Sequence, residues 1–196
     1  MIEVPKLIKG LIFDCDGTLV DSMPLHMEAW EHAINKFSAP WNHDFFFLKK
    51  GMHEVDIALL YKEEFNCHFN ENDLVKAKHE YFRNHLSSLK PIKPVVELAN
   101  QYHGKLSMSV ASGGTRENVV GELEALGITS LFDYILTADD DIKPKPEPDL
   151  FLNAAKLMNV EPENCQVFED GELGLQAAER AGMIATDIRL YIYKTN

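Results

Sequence analysis

From Pro91 onward the chain alternates short apolar runs with amphipathic stretches, and this alternation constrains the fold more than any other feature. The pattern predicts helices over 95–102, 115–126, 150–158 and 173–181, and strands over 106–111, 134–137 and 165–168, with short strands near Ile184 and Leu190. Near the start, Leu11, Ile12 and Phe13 form a compact apolar run that breaks off into the acidic, glycine-containing stretch 14–21. That is the signature of a buried strand running into a functional loop. Strands alternating with helices imply an α/β fold, a doubly wound parallel sheet with helices on both faces.

The stretch between is different. Over 24–37, 52–65 and 71–89 only helical patterns are found, the last introduced by Asn70 as N-cap with Asp73 three residues on. The expected organisation is therefore a catalytic core of residues 1–20 and 90–196, interrupted by an all-helical cap, 21–89. A length of 196 residues suits one domain with such an insertion.

Composition narrows the function. The chain carries 19 Lys and Arg against 31 Asp and Glu, a formal net charge of −12, which repels nucleic-acid backbones and anionic lipid. A small anionic substrate is still admissible, because a bound divalent cation reverses the sign of a pocket. Cys15, Cys67 and Cys165 are odd in number and far apart, without CxxC spacing, so a reducing compartment and no cysteine zinc site are expected. With no long apolar run and no signal-like start, the protein is expected in the cytoplasm, without a membrane partner.

In open α/β sheets ligands sit at the carboxyl ends of the strands, and four such ends are chemically loaded. The first strand ends in Asp14-Cys15-Asp16-Gly17-Thr18, and the strand near Val167 in Glu169-Asp170-Gly171. So many carboxylates repel one another unless a cation neutralises them, and oxygen ligands select Mg²⁺ over zinc or copper. Ser112, Gly113 and Gly114 precede a helix, where exposed N–H groups and the helix dipole favour an anion. Lys143 and Lys145 stand in a proline-stiffened loop, either able to supply a cation. Singly, each motif has a plainer reading: a turn, a flexible loop, a solvated surface. Cys15 reads as a small packed side chain, since its acidic neighbours oppose a thiolate. Four loaded loops in one sheet are hard to obtain by accident.

In this order, FDCDGTLVDS (13–22), VASGG (110–114), KPKPEPD (143–149) and VFEDGELGLQAAERAGM (167–183) resemble the four motifs of the haloacid dehalogenase superfamily. Within it they are similar to the subgroup of sugar-phosphate phosphatases and β-phosphoglucomutases, the text lying nearest the fructose-1-phosphatase-like proteins. The resemblance covers nearly the whole chain and implies a Rossmann-like core with a helical cap, Mg²⁺ as cofactor and a small phosphorylated metabolite as partner; a monomer is expected. It implies Asp14 as nucleophile, Asp16 as acid/base, Ser112 (with Gly113) and Lys145 as phosphate-binding residues, and Asp170 as metal ligand with Glu169 beside it. Asp14 and the backbone carbonyl of Asp16 would share the metal. Lys145 is preferred to Lys143 because it alone stands in the family's Lys-Pro-x-Pro-Asp arrangement.

The chemistry agrees with those roles. A carboxylate can accept a phosphoryl group, dividing one slow hydrolysis into two steps, with Mg²⁺ and Lys145 offsetting charge repulsion. The cap is expected to exclude water and read the leaving group. His26 stands where the mutases carry a histidine tied to phosphorylated-sugar binding and acid/base assistance; a partly exposed helix histidine is the equal alternative. Residues 49–54 look like the family's substrate-specificity loop, making Glu54 a candidate substrate contact, yet the mutases place an arginine there. A carboxylate cannot hold a second phosphate, so the departure favours a phosphatase over a mutase. Lys50, His53 and Lys78 could compensate but read better as surface residues. Arg116 is either a substrate contact or an exposed helix residue. A binding module without turnover is disfavoured because the nucleophile is retained.

Overall fold

The computed structural model describes residues 2–50 and 52–192. In chain order the elements are β1 (Gly10–Phe13), β2 (Val20–Asp21), α1 (Met23–Lys36), α2 (His43–Leu48), α3 (Glu54–Glu64) and α4 (Glu71–Asn84). They continue with β3 (Lys90–Pro91), α5 (Lys93–Tyr102), β4 (Ser107–Ala111), α6 (Arg116–Ala125), β5 (Tyr134–Leu136) and α7 (Asp149–Met158). Last come β6 (Cys165–Glu169), α8 (Glu172–Arg180), β7 (Ile184–Asp187) and α9 (Arg189–Ile192). The chain forms two compact units, one joining the residues up to Asp21 with those from Lys90 onward, the other spanning Ser22–Leu89.

The first unit is built on a parallel five-stranded sheet of order β5-β4-β1-β6-β7. Every residue of β1 is buried, which is why it reads as an unbroken apolar run rather than an alternating one. On one face Ile12 and Val167 pack with Phe151, Ala154, Ala177 and Ala178 of α7 and α8. On the other Phe13 stacks on Phe168 at 4.7 Å and meets Phe132 edge-on at 5.7 Å. After β1 the chain runs to β4 and β5 on one side, then returns to β6 and β7 on the other. The carboxyl ends of β1, β4 and β6 therefore meet at the topological switch point, and the pairing Phe13↔Val110 and Phe13↔Phe168 sets Asp14, Ser112 and Glu169 within one loop cluster.

Two features outside the helical unit differ from expectation. The segment near Leu190 is not a strand but the short helix α9: Asp187 Oδ1 accepts from the Arg189 N–H at 3.0 Å, a turn that ends β7 and starts a helix. Val20–Asp21 and Lys90–Pro91 pair as a two-stranded antiparallel ribbon, too short and too proline-marked to be read as strands.

The second unit is helical. α1 and α4 pack together with α2 and α3 around Trp30, Ile34, Phe46, Ile57, Tyr61 and Leu74. Phe46 is stacked on Trp30 at 4.7 Å and Trp41 at 5.2 Å, and Tyr61 stacks on it at 4.8 Å. Asn70 caps α4 as expected, its Oδ1 accepting from the Asn72 and Asp73 N–H groups. α4 stops at Asn84 rather than Leu89, giving way to a 3₁₀ turn, Leu86–Ser88. The six-residue α2, capped by Asn42, is too short to show a helical period. Lys78 corrects a reading: it is not a surface residue but fully buried, because Glu54 and His26 supply its partners. Among the described residues no helix is long and apolar enough to cross a membrane.

Candidate active site

At the end of β1, Asp14 is 6% exposed and its backbone N–H is held by the Phe168 carbonyl at 3.0 Å. The Lys145 ammonium donates to Asp14 Oδ1 at 2.7 Å and to Glu169 Oε1 at 2.6 Å, and lies 5.1 Å from the centre of the Phe151 ring. Lys143 stands elsewhere, largely exposed and 3.7 Å from Asp149. The other Glu169 oxygen accepts from the Gly171 N–H at 2.7 Å, so this carboxylate is fixed from both sides. It can lie there because residue 174, in the first turn of α8, is glycine; a Cβ would stand 1.8 Å from Glu169 Oε1.

Asp170 turns toward the first loop, where its Oδ1 accepts from the Thr18 hydroxyl at 3.3 Å. Gly17 has a φ of +78°, and a Cβ there would lie 2.6 Å from Asp170 Oδ2; backbone conformation and close approach both require glycine. Asp14, Glu169 and Asp170 each offer an oxygen, the three lying within 4.8 Å of one another. The Lys145 ammonium meets two of these three carboxylates, and burial, together with Glu169 and Asp170, pushes the Asp14 carboxyl well up against the pull of Lys145. Lys145 is pushed up in turn, because Asp14 and Glu169 outweigh its burial. An all-oxygen cluster with surplus negative charge could hold a hard metal ion.

The loop after β4 leaves the sheet beside the loop after β1. Ser112 is 1% exposed, its N–H donating to the Leu136 carbonyl and its Oγ accepting from the Gly114 N–H at 3.0 Å. Gly113 is exposed. A Cβ on Gly114 would lie 3.3 Å from Ser112 Oγ and 3.5 Å from Asp16 Oδ2, which brings the acid/base candidate beside the anion loop. Arg116 points elsewhere: its guanidinium is held by Asp140 at 2.6 Å and the Ile135 carbonyl at 3.3 Å, and its N–H by Asp139.

In the helical unit Lys78 Nζ lies 2.5 Å from Glu54 Oε1 and 2.9 Å from His26 Nδ1, and His79 meets the other Glu54 oxygen. His26 stacks on Phe82 at 4.2 Å. His53 is exposed beside Asp56 at 3.9 Å, and Lys50 lies 5.7 Å from the Phe47 ring centre. Sequence reasoning missed Glu122, a buried carboxylic acid that receives the Cys15 thiol at 3.5 Å. The signal was the spacing Asn118, Val119, Glu122, Leu123, one buried face of α6.

The family model for the haloacid dehalogenase-like hydrolases matches residues 11–187. Fructose-1-phosphate phosphatase YqaB of Escherichia coli K12 is 35% identical over 182 residues, 92% of this chain and 96% of that protein. The β-phosphoglucomutase of Bacillus subtilis strain 168 is 27% identical, covering 92% and 83%. The crystal structure of the β-phosphoglucomutase from Clostridium difficile superposes with a TM-score of 0.76 at 25% identity, over 91% of this chain and 83% of that one. The chain belongs to the haloacid dehalogenase-like hydrolases. Its reaction class is that of a phosphoric monoester hydrolase.

Proposed function

We propose that the protein is a Mg²⁺-dependent phosphatase of small sugar monophosphates such as fructose 1-phosphate, acting through an aspartyl phosphate on Asp14. The observation that carries this reading is the Lys145 ammonium bridging Asp14 and Glu169 with Asp170 close by. It joins a buried nucleophile to a cation that meets the incoming phosphate charge. The fructose-1-phosphate phosphatase relative, alike along nearly its whole length, supports the substrate class. A cytoplasmic setting belongs to the same reading, the three cysteines being free.

Asp14 attacks phosphorus, forming an O–P bond as the sugar oxygen–phosphorus bond breaks, and Asp16 gives its proton to the departing alkoxide. The Ser112 hydroxyl and the Gly113 N–H receive the phosphoryl oxygens, and Lys145 offsets the charge between nucleophile and substrate. Water then attacks the aspartyl phosphate, Asp16 takes its proton, and inorganic phosphate and free Asp14 result. Asp14, Asp170, Glu169 and the Asp16 carbonyl are the groups that would hold Mg²⁺, which when bound supplies Lewis-acid stabilisation of phosphoryl charge.

A second reading, a β-phosphoglucomutase interconverting β-glucose 1-phosphate and glucose 6-phosphate, is favoured by the Bacillus subtilis relative. Glu54 speaks against it: the residue is an acid engaged by Lys78 and His79, not a cation available to a second phosphate. Phosphate release across a panel of sugar monophosphates, set against glucose 6-phosphate formation with a bisphosphate primer, separates the two. Faster hydrolysis of a monophosphate supports the proposal; faster isomerisation of β-glucose 1-phosphate replaces it with the mutase.

A further inference from the structure

Two residues beyond β7, Arg189 is engaged by two carboxylates. Its Nε and Nη2 donate to the two oxygens of Asp187 at 2.8 and 2.7 Å, and Nη2 also donates to Glu172 Oε1 at 2.8 Å. The Arg189 N–H donates to the same Asp187 carboxylate. Exposed ion pairs contribute little as a rule, but a forked guanidinium shared by two carboxylates is the geometry in which they matter.

Its place gives the contact a consequence. Asp187 pairs with Glu169 across β6 and β7, and the Ile188 N–H donates to the Glu169 carbonyl at 2.9 Å. Glu172 is the first residue of α8. The two carboxylates that Arg189 holds thus flank the loop 169–171, one beside its entry and one at its exit. Asp170 stands between them. Neither acid is needed for the sheet itself, since the β6–β7 pairing is made by backbone groups.

We propose that Arg189 is a positioning residue for the acidic loop: clasping Asp187 and Glu172, it fixes residues 169–171 so that Asp170 is presented to the cation subsite. The inference rests on the reading that Asp14, Glu169 and Asp170 hold Mg²⁺. It carries a sign that simple electrostatics does not share. Removing a positive charge near an acidic cluster strengthens cation binding through space, whereas releasing a supporting contact weakens it, typically by about tenfold.

Calorimetric Mg²⁺ titration of wild type, R189M, R189K, E172Q and D170N tests it, alongside thermal melts and amide hydrogen exchange of residues 169–172 without metal. The expected result is Mg²⁺ affinity about tenfold weaker in R189M, with a smaller loss in E172Q. R189K should stay weakened although its charge is kept, since an ammonium cannot fork. Exchange at residues 170–172 should quicken in R189M while the melt of the folded protein remains cooperative. Mg²⁺ binding in R189M equal to or tighter than wild type, or unchanged exchange, overturns the proposal. If R189M fails to fold, E172Q, which spares the Asp187 fork, decides by exchange alone, because loss of its negative charge weakens cation binding through space in any case; unchanged exchange at residues 170–172 in E172Q overturns the proposal. Should wild type and D170N bind Mg²⁺ alike, the cation reading falls instead, and the metal-free exchange still decides the clasp.

Discussion

The ammonium of Lys145 lies 2.7 Å from Oδ1 of Asp14, with the Glu169 carboxylate 2.6 Å away on its other side. A lysine held between the nucleophile and a second acid needs no movement to meet phosphate charge as Asp14 attacks. Asp14→Asn, nearly isosteric but unable to attack phosphorus, is expected to abolish phosphate release while leaving circular dichroism unchanged. Lys145→Ala should lower kcat/KM by about a hundredfold or more. Lys143→Ala should stay close to wild type, because that lysine is exposed beside Asp149. A larger loss at Lys143 than at Lys145 in steady-state assays would exchange their roles.

Gly174 tests how tightly Glu169 is placed. A Cβ there would lie 1.8 Å from Glu169 Oε1, and the obstacle is a carboxylate pinned by both Lys145 and the Gly171 N–H. Gly174→Ala is expected to cost about 3 kcal/mol of stability and to depress activity, since Glu169 must move and Lys145 with it. Gly113→Ala meets nothing within 4 Å, so its melting temperature should hardly change. Chemical denaturation of both variants checks the contrast; equal stabilities would show that Glu169 relaxes freely.

Cys15 sits between two acids expected to do the chemistry, yet burial, reinforced by Glu122, Asp16 and Asp14, pushes its thiol up. It is expected to resist iodoacetamide in the native enzyme and to react on unfolding. Cys67, partly exposed, should be labelled first. Mass spectrometry of peptides after timed alkylation reads the order, and early labelling at Cys15 would show that the loop opens.

These residues also show what the sequence makes legible. Leu11, Ile12 and Phe13 announce a strand because both faces of β1 are covered, and the loops at the ends of β1, β4 and β6 announce themselves by unusual chemistry packed into few residues. Partnerships across long separations do not. Lys78 meets Glu54 from 24 residues away, and nothing local to either residue marks the lysine as buried. Glu122 was hidden for the opposite reason: an acid on an amphipathic helix is ordinarily assigned to the wet face, whereas here Cys15 provides a buried contact for it. The residues around Ile188 and Leu190 have the composition of a strand, and the side chain of Asp187, capturing the Arg189 N–H, redirects the backbone into α9.

The Glu54–Lys78 pair gives the helical unit a pH dependence of definite sign. Lys78 is fully buried, and the side chain of Glu54 is 30% exposed. Burial alone would push the Glu54 carboxyl up, but Lys78 and His79 together outweigh it and hold the group well below its ordinary value of 4.5. A carboxylate depressed in the folded state contributes stability that is complete above the unfolded value and is lost as pH falls through the folded one. Below about pH 5 the unfolded chain takes up a proton at residue 54 that the folded chain refuses, and wild type loses stability. Glu54→Gln has no such titration, and it leaves the Lys78 charge buried with His26 alone as polar neighbour among the contacts described, at a cost of about 3 kcal/mol near neutrality. The gap between wild type and Glu54→Gln in urea denaturation is therefore expected to be widest above about pH 5 and to narrow steadily toward pH 3. A gap that stays constant across that range would mean that Glu54 does not carry the charge opposing Lys78.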